Sequence, residues 1–401
     1  MIFKMAFRNL KRNRRRSIAI IMTVALGVGA LFLYHGFNTG IMNQYKFNTI
    51  RSRFGHGQIN EKEYRTKVYE KPWEHWIEDY SALQNSLKAD PKIQYIFPRV
   101  EFYAMVTNGK INVAGKGQGI DGPEEAKFFS ALNFTEGKNL EGEEDGVIVG
   151  AGLARSLDLK IGDRVTILAN TVYGSLNGVD LNVVGIFHTG VKEFDDASFR
   201  LPLKQAQILL DSDKIESVAL GLQSDEDWNA VQAKIEKEYP KYEATPFAIL
   251  DKVYYQHAVD FLWAQFNTIR LIILVIVVLG IFNTISTAIL ERKQEIGNLR
   301  ANGESEKDVM KLLLAEGLVA GGLGSILGVF LSIILNNTLL FKGILMPPSP
   351  GITRQFHVFV ELQPSYALVT IALGVICTVL GTYFAGRKVV KTQIGELLRS
   401  L

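Results

Sequence analysis

The sequence is poor in the residues that enzymes and metal centres most often use. It has one cysteine, Cys377, so no disulfide can form within the chain. Its six histidines are scattered, with no HxxxH spacing and no paired His–carboxylate spacing typical of metal sites. It also has no Gly-x-Ser-x-Gly stretch, the usual setting of a hydrolase serine. We therefore expect neither catalytic residues nor metal ligands.

A nucleotide-binding loop is missing as well. The glycine-rich stretch GKGQGIDG, residues 115–122, invites that interpretation. A Walker-type loop requires G-K-[ST], however, and Lys116 is followed by Gly117. We interpret the stretch as a glycine-rich connection beside a strand, and we expect this chain to bind no cofactor.

Long apolar runs are what the sequence has in abundance. Of its 401 residues, 47% are hydrophobic and 21% are charged, and the mean hydropathy is +0.11. A bilayer-spanning helix needs about 20 predominantly apolar residues. Four windows meet that length, at 17–37, 271–290, 312–341 and 366–386. Together they predict a polytopic membrane protein, whereas a buried core helix could imitate only one of them.

The placement of lysine and arginine predicts the orientation of these spans, because such residues are retained in the cytoplasm. Residues 1–16 have no acid and seven bases, which are Lys4, Arg8, Lys11, Arg12, Arg14, Arg15 and Arg16. Residues 38–260 have 25 bases and 33 acids, a net charge of 25 − 33 = −8. We expect both termini in the cytoplasm and 38–260 outside. Directly before a span, the basic KRNRRR run has a topological role, so we expect no nucleic-acid binding. The first apolar run is too long for a typical cleavable signal peptide.

The exterior segment must fold, because it is too long for a loop. Runs such as GVIVG, RVTIL and DLNVVGIF predict strands, and PLKQAQILLD and DEDWNAVQAKIEKEY predict helices. Mixed without strict βαβ repetition, they predict an α+β domain, for which we expect two subdomains. Apolar residues recur at helical spacing before the second span, at Leu250, Val253, Tyr254, His257, Phe261, Leu262, Phe266 and Ile269. This stripe predicts that the membrane helices extend outward as stalks, the alternative being unrelated amphipathic surface helices.

Between the second and third spans lies the charged segment, Glu291–Asp308, with five acids and four bases. It predicts a short helix over 291–302 with Ile296 and Leu299 on one side. Gly303 suits the position just past its end, and Ser305 can cap the next helix. Glu316, the only acid in the third window, is expected to pair with Arg292, Arg300 or another base of the segment and to act as a latch. In an arbitrary membrane protein such a segment could equally be a solvated linker.

The charged segment and the first part of the third span, ERKQEIGNLRANGESEKDVMKLLLAEGLVAGGLGSILG, resemble the hallmark of the FtsX/MacB/LolC–LolE superfamily of ABC-transporter permeases. The family pattern E-R-x-x-E-I-G-x-L-R-A-x-G is matched in full. The first span is similar too, as is the strand GHGQI after it. The middle region is similar to the LolC/LolE branch, so the resemblance covers nearly the whole chain.

The resemblance implies four transmembrane helices with a large α+β extracytoplasmic domain between the first and second, the type VII permease fold. Two permease chains, identical or different, would assemble with a cytoplasmic ATPase homodimer that binds ATP and Mg²⁺, in a bacterial cytoplasmic (inner) membrane. The charged segment would be the coupling helix that docks on the ATPase, where Gly297 and Gly303 would permit close approach. The implied coupling residues are Glu291, Arg292, Glu295, Ile296, Gly297, Leu299, Arg300 and Gly303.

For function, the resemblance implies extraction or export of a lipid-anchored or hydrophobic substrate from the outer leaflet, with lipoprotein release as the leading expectation. By position, the residues lining the substrate would be Leu33, Phe37, Ile41, Phe261, Phe266 and Ile269. Two alternatives stay open. One is a MacB-like tripartite exporter with a periplasmic chaperone or adaptor, and the other is an FtsX-like module that activates an exterior hydrolase.

The expected division of the chain rests on these assignments. It runs as cytoplasmic 1–16, first span 17–37, extracytoplasmic domain 38–260, stalk end and second span 261–290, coupling segment 291–311, third span 312–341, extracytoplasmic loop 342–365, fourth span 366–386 and cytoplasmic tail 387–401.

Overall fold

The computed structural model describes residues 2–68, 71–130, 132–252, 256–347 and 355–399. Val253 and Tyr254 of the predicted stripe lie outside this range. The α-helices are α1 (Ile2–Arg12), α2 (Arg14–Thr49), α3 (Tyr64–Lys67), α4 (Tyr80–Lys88), α5 (Gly122–Phe128), α6 (Ala151–Ser156), α7 (Lys192–Ala197), α8 (Leu203–Leu210), α9 (Trp228–Glu238), α10 (Phe247–Leu250), α11 (His257–Leu290), α12 (Lys293–Ala301), α13 (Glu306–Thr338), α14 (Pro364–Val390) and α15 (Ile394–Arg399).

The strands alternate with these helices mainly between residues 57 and 246. They are β1 (Gly57–Glu61), β2 (Ile93–Thr107), β3 (Asn112–Ile120), β4 (Asn133–Gly137), β5 (Gly146–Gly150), β6 (Arg164–Asn170), β7 (Leu176–His188), β8 (Ser198–Pro202), β9 (Ser217–Leu222), β10 (Tyr242–Pro246), β11 (Ile344–Met346) and β12 (Phe356–Val358).

Four helices among the described residues are long and apolar enough to cross a membrane: α2, α11, α13 and α14. α2, α11 and α14 each contain one of the predicted windows, whereas α13 begins before the third window and ends at Thr338, three residues before the predicted end at 341. α2 and α11 are longer than those windows, with 36 and 34 residues. A helix of that length exceeds the ~20 residues that a bilayer requires. Their role as stalks stays a prediction.

The chain divides into two compact units. The helical unit comprises residues up to Asn43, then Asp260–Met346 and His357 onward. Its core is formed by apolar residues of α2, α11, α12, α13, α14 and α15, including Val24, Val28, Ile285, Ile296 and Leu313. Packing among these helices positions the charged segment.

The second unit, Gln44–Val259 with 347–356, is built on a mixed sheet. Its described strands follow the order β10-β1-β9-β2-β3-β8-β5-β7-β4, with β6 pairing β2 and β7. Most pairings are antiparallel, but β3/β8 and β5/β7 are parallel. The predicted α+β domain is confirmed. The long strand β2 pairs with β9 through residues 93–99 and with β3 through 100–107. It therefore joins the β10-β1-β9 part of the sheet to the part that begins with β3.

The structure corrects the interpretation of the glycine-rich stretch at 115–122 as a connection beside a strand. The stretch is not a connection but most of strand β3, followed by Asp121, which caps α5. A methyl group on Gly117 would lie 2.6 Å from the rings of both Phe102 and Phe199. Those rings pack edge to face, with centroids 5.9 Å apart. The glycine is therefore required for close packing inside the sheet, not for a flexible loop.

Candidate functional site

The charged segment has the form that local sequence rules predict, a short helix between two sharp breaks. Residue Arg292 precedes α12, and Gly303 follows it with φ +97°. The N–H of Glu304 donates to Leu299 O at 3.2 Å, and that of Gly303 donates to Arg300 O at 3.1 Å. This is a Schellman ending, which favours glycine at the left-handed position.

A second signal sets the start of α13. The side chain of Ser305 accepts a hydrogen bond from the N–H of Asp308 at 3.2 Å. This cap begins α13 at Glu306, six residues before the predicted third span. The angle between α12 and α13 is therefore set by a Schellman ending and a cap only two residues apart.

The inner face of α12 is anchored to this chain. Ile296 is 1% exposed and packs in one cluster with Val389 and Val390 of α14 and Leu397 of α15, while Leu299 lies at the edge of that cluster. Gly297, expected at a point of close approach to a partner, is itself buried within the chain. A partner must therefore contact a different face.

The outer face of α12 is open and polar. Gln294, Asn298 and Ala301 of α12 are exposed, at steps of four and three residues, as is Glu291 in the turn before the helix. Residues at that spacing share one side of a helix. The helix thus has a buried apolar side held by its own chain and an exposed, largely polar side.

Arg292 joins α12 to the third long helix. Its guanidinium hydrogen-bonds to both carboxylate oxygens of Glu316, Nη1 to Oε2 and Nη2 to Oε1, the latter at 3.4 Å. Its Nε donates to Glu295 at 2.9 Å. Burial opposes the arginine charge, but the bonds to Glu316 and Glu295 outweigh it and raise the pKa of Arg292. Of the partners that the sequence left open for Glu316, the structure therefore places Arg292 against it.

Glu316 also receives a contact that the sequence did not suggest. The Nδ2 of Asn9 in α1 donates to Glu316 Oε1 at 2.7 Å. Arg16 of α2 pairs with Glu291 at 2.7 Å. The basic N-terminal region is thus tied to the charged segment at two points, through Asn9 by way of Glu316 and through Arg16.

Arg300 fixes the other end of α12. Its Nη1 donates to the carbonyl oxygens of Val390 at 2.7 Å and Thr392 at 3.0 Å, and its Nη2 donates to Glu306 at 3.1 Å. Carbonyls at a helix C-terminus lack partners within the helix and attract cations. α12 is consequently fastened to α13 through Arg292 and to the end of α14 through Arg300.

Glycines let α13 lie close to its neighbours. A methyl group on Gly321 would lie 2.9 Å from Thr378 of α14, and one on Gly328 would lie 2.4 Å from the carbonyl oxygen of Ala25 in α2. Gly317 likewise approaches Thr382 of α14, and Gly324 approaches α2, so α13 contacts two different helices through glycines spaced four residues apart. Such packing makes α13 a stiff support for the segment.

A cavity of about 50 Å³ lies beside the Arg292–Glu316 pair, between α1, α2, α11, α13 and α14, and its surface is mainly apolar. Asn9, Ser17 and Arg16 contribute to its lining. A cavity of this size can hold a few water molecules.

The expected substrate-lining residues do not all share one environment. Leu33, Phe37 and Ile41 are half-buried at steps of four residues along α2. On α11, Phe261 is 69% and Ile269 36% exposed, but Phe266 is buried, and its carbonyl accepts a hydrogen bond from Tyr34 of α2 at 3.4 Å. Phe266 therefore belongs to packing between the two helices. A lining role for the six residues stays a prediction.

Family comparisons agree with this architecture. The MacB-like periplasmic core domain matches residues 17–238, more than half of the 401 residues. The FtsX-like permease C-terminal region matches residues 267–394, which include the whole charged segment.

The individual relatives have low sequence identity to this chain but align with much of its length. The chain is 26% identical over 349 residues to the lipoprotein-releasing system transmembrane protein LolE of Haemophilus influenzae, covering 81% of this chain and 82% of that one. Against LolC of Neisseria meningitidis the identity is 26% over 283 residues, covering 65% and 66%. The periplasmic region of MacB from Actinobacillus actinomycetemcomitans aligns with a TM-score of 0.37 at 10% identity, covering 49% of this chain and 90% of that structure.

The resemblance inferred from the charged segment is thereby confirmed. The family models cover both parts of the chain, and the four long apolar helices suit a protein of the inner membrane. The chain belongs to the ABC-transporter permeases that join a MacB-like periplasmic core domain to an FtsX-like permease C-terminal region.

Proposed function

We propose that this permease couples ATP hydrolysis by a separate cytoplasmic ATPase to extraction of a lipid-anchored substrate from the outer leaflet of the membrane. ATP and Mg²⁺ bind the ATPase homodimer, and a second permease chain, identical or different, completes the complex. The observation that carries the proposal is the charged segment, with its buried side anchored and its polar side exposed.

The mechanism is the transfer of a displacement. When the ATPase dimer closes, it pushes on the exposed side of α12. Because Arg292 holds Glu316 and Arg300 holds Val390 O, α12 cannot move without α13 and α14. Packed elements of this kind shift between discrete arrangements, so a small displacement at one end reaches the other.

The proposed orientation puts both termini and the charged segment in the cytoplasm. The seven bases and no acid of residues 1–16 support it, as do Arg387, Lys388 and Lys391 after the last span. The exterior α+β unit is then extracytoplasmic, on the side where lipid-anchored substrates await release.

Lipoprotein release is the most specific form of this proposal, supported by relatives named LolE and LolC. A MacB-like exporter working with a periplasmic adaptor is the second candidate, supported by the match to the MacB-like core domain. Mass spectrometry of co-purifying molecules separates the two. Bound lipoprotein supports release, whereas a stable adaptor with soluble cargo supports export.

The coupling role is tested by substitution on the exposed side of α12. Asn298→Trp adds bulk where the ATPase is proposed to dock, without entering the buried side, and it should abolish stimulation of the ATPase. Asn229→Trp, on the exposed surface of α9 in the other unit, is the matched control and should leave stimulation unchanged. Full stimulation in the Asn298→Trp variant would rule out docking at this face.

A further inference from the structure

The helix α1 has two chemically distinct sides. Lys4, Arg8, Lys11 and Arg12 lie on one side, at angles that span about a third of the helix circumference at 100° per residue. Phe3 and Phe7 lie next to them and are 60% and 57% exposed. An apolar strip beside a purely basic strip is the pattern of a helix that lies in a membrane interface.

The rest of α1 is fixed to the protein, which leaves these two sides facing outward. Ala6 is fully buried, and Asn9 donates to Glu316 of α13. Ser17 of α2 donates to Leu10 O at 2.9 Å and to Asn13 O at 3.1 Å, bridging the break between the two helices. α1 is therefore held at a set angle to the long helix after it.

The level of α1 matches the edge of a bilayer. Directly after the bases Arg14–Arg16, exposed apolar residues begin on α2 at Ile18, Met22 and Leu26, four residues apart. That face suits lipid chains, so the bases before it lie at the depth of the headgroups. With seven bases and no acid over 1–16, the complementary surface is an anionic one.

We propose that α1 binds anionic phospholipids of the cytoplasmic leaflet and that this binding steadies the charged segment through Asn9, Glu316 and Arg292. Phe3 and Phe7 enter the boundary of the acyl chains, while the basic strip contacts phosphate groups. Since Glu316 is bonded to both Asn9 and Arg292, movement of α1 alters the support of α12. The second half of this inference rests on the proposed coupling function, whereas lipid binding does not.

The test uses the full chain in nanodiscs of phosphatidylcholine with graded fractions of phosphatidylglycerol. Native mass spectrometry counts the phosphatidylglycerol molecules retained per chain. The variant Lys4→Gln/Arg8→Gln/Lys11→Gln should lower the affinity for phosphatidylglycerol roughly a hundredfold and so reduce its retention, since each of the three bases near an anionic surface strengthens binding about fivefold. The variant Lys110→Gln/Lys160→Gln/Lys237→Gln removes the same charge from exposed positions of the other unit and should retain the lipid as wild type does. Equal retention in both variants would overturn the proposal.

The link to coupling has its own readout. Stimulation of the partner ATPase should rise with the phosphatidylglycerol fraction in wild type. Asn9→Leu should keep lipid retention but lose this dependence. If stimulation is the same in every lipid mixture, the link to coupling is wrong. If the Lys4→Gln/Arg8→Gln/Lys11→Gln variant no longer binds the ATPase but retains as much lipid as wild type, α1 docks a protein and the lipid proposal fails. If wild type stimulates no ATPase, the proposed function fails, and the lipid count still decides this inference.

Discussion

Replacing Glu316 with Gln tests whether the contact between α12 and α13 is as strong as its geometry indicates. The substitution keeps the shape of the side chain and leaves an oxygen to accept from Asn9. It removes the negative charge opposite Arg292, whose side chain is only 13% exposed. Among the residues that the structure describes, Glu295 would remain as the acidic partner of the arginine.

The expected cost can be worked from these contacts. Hydrogen bonds to charged groups contribute about 1.5–3 kcal/mol each, and removing one partner of a buried ion pair costs about 3–5 kcal/mol. Relief from burying the carboxylate offsets part of this loss. We therefore expect a net destabilisation of about 2 kcal/mol, which lowers the unfolding temperature by roughly 4–8 °C at 2–4 °C per kcal/mol.

The assay is thermal unfolding of the purified chain in detergent, combined with stimulation of its ATPase. Glu306→Gln is the control, because Glu306 pairs with Arg300 but is 49% exposed, and the loss of such a pair costs at most about 1 kcal/mol. The double variant Arg292→Met/Glu316→Leu should recover most of the stability. A Glu316→Gln variant as stable as the control, with unchanged stimulation, would refute the reasoning.

Three further predictions concern packing, backbone and protonation. Gly328→Ala should destabilise the chain by about 1–3 kcal/mol in thermal unfolding, because its methyl group would meet the Ala25 carbonyl at 2.4 Å. Gly303→Ala, at φ +97°, should cost about 1 kcal/mol in the same assay and weaken ATPase stimulation by disturbing the end of α12. Burial and the neighbouring Glu101 raise the pKa of Glu216 to about 7 from 4.5. The folded chain then holds this proton more tightly than the unfolded chain, so stability should fall by up to about 3 kcal/mol as pH rises from 4.5 to 7. Glu216→Gln should flatten that profile when unfolding is followed across the pH range.

Each of these has an outcome that contradicts it. Gly322→Ala, on the same helix as Gly328 but facing open space, is the matched control and should be neutral or slightly stabilising. Equal effects at both glycines would show that close packing is not the cause. A Gly303→Ala chain with unchanged stability would argue against the Schellman ending. A pH profile unaltered by Glu216→Gln would assign the titration to other groups.

The sequence predicted best those features that neighbouring residues determine. Gly303 and Ser305 signal a helix end and a helix start within a few residues, and both are found where expected. The apolar windows depend only on composition and length. The strands GVIVG and RVTIL could likewise be predicted from local pattern alone.

The features that the sequence missed depend on partners distant along the chain. Strand β8 contains Arg200, which is 1% exposed and donates to Ser52 O at 2.8 Å. In the sequence, a short segment with a charged residue looks like a loop, because the buried groups that pair with the charge cannot be identified from local pattern. Asn9 could not be identified from the sequence either, because its hydrogen-bond partner Glu316 lies 307 positions away. The glycines of β3 were misinterpreted because the rings that cover them come from β2 and β8.

Site-specific photocross-linking tests the central claim most directly. A photoreactive phenylalanine analogue at position 298, on the exposed side of α12, should form an adduct with the nucleotide-hydrolysing subunit in assembled complexes. The same analogue at 229 should form none. If position 298 forms no adduct in a complex that still hydrolyses ATP, the result contradicts the docking of the charged segment on the ATPase.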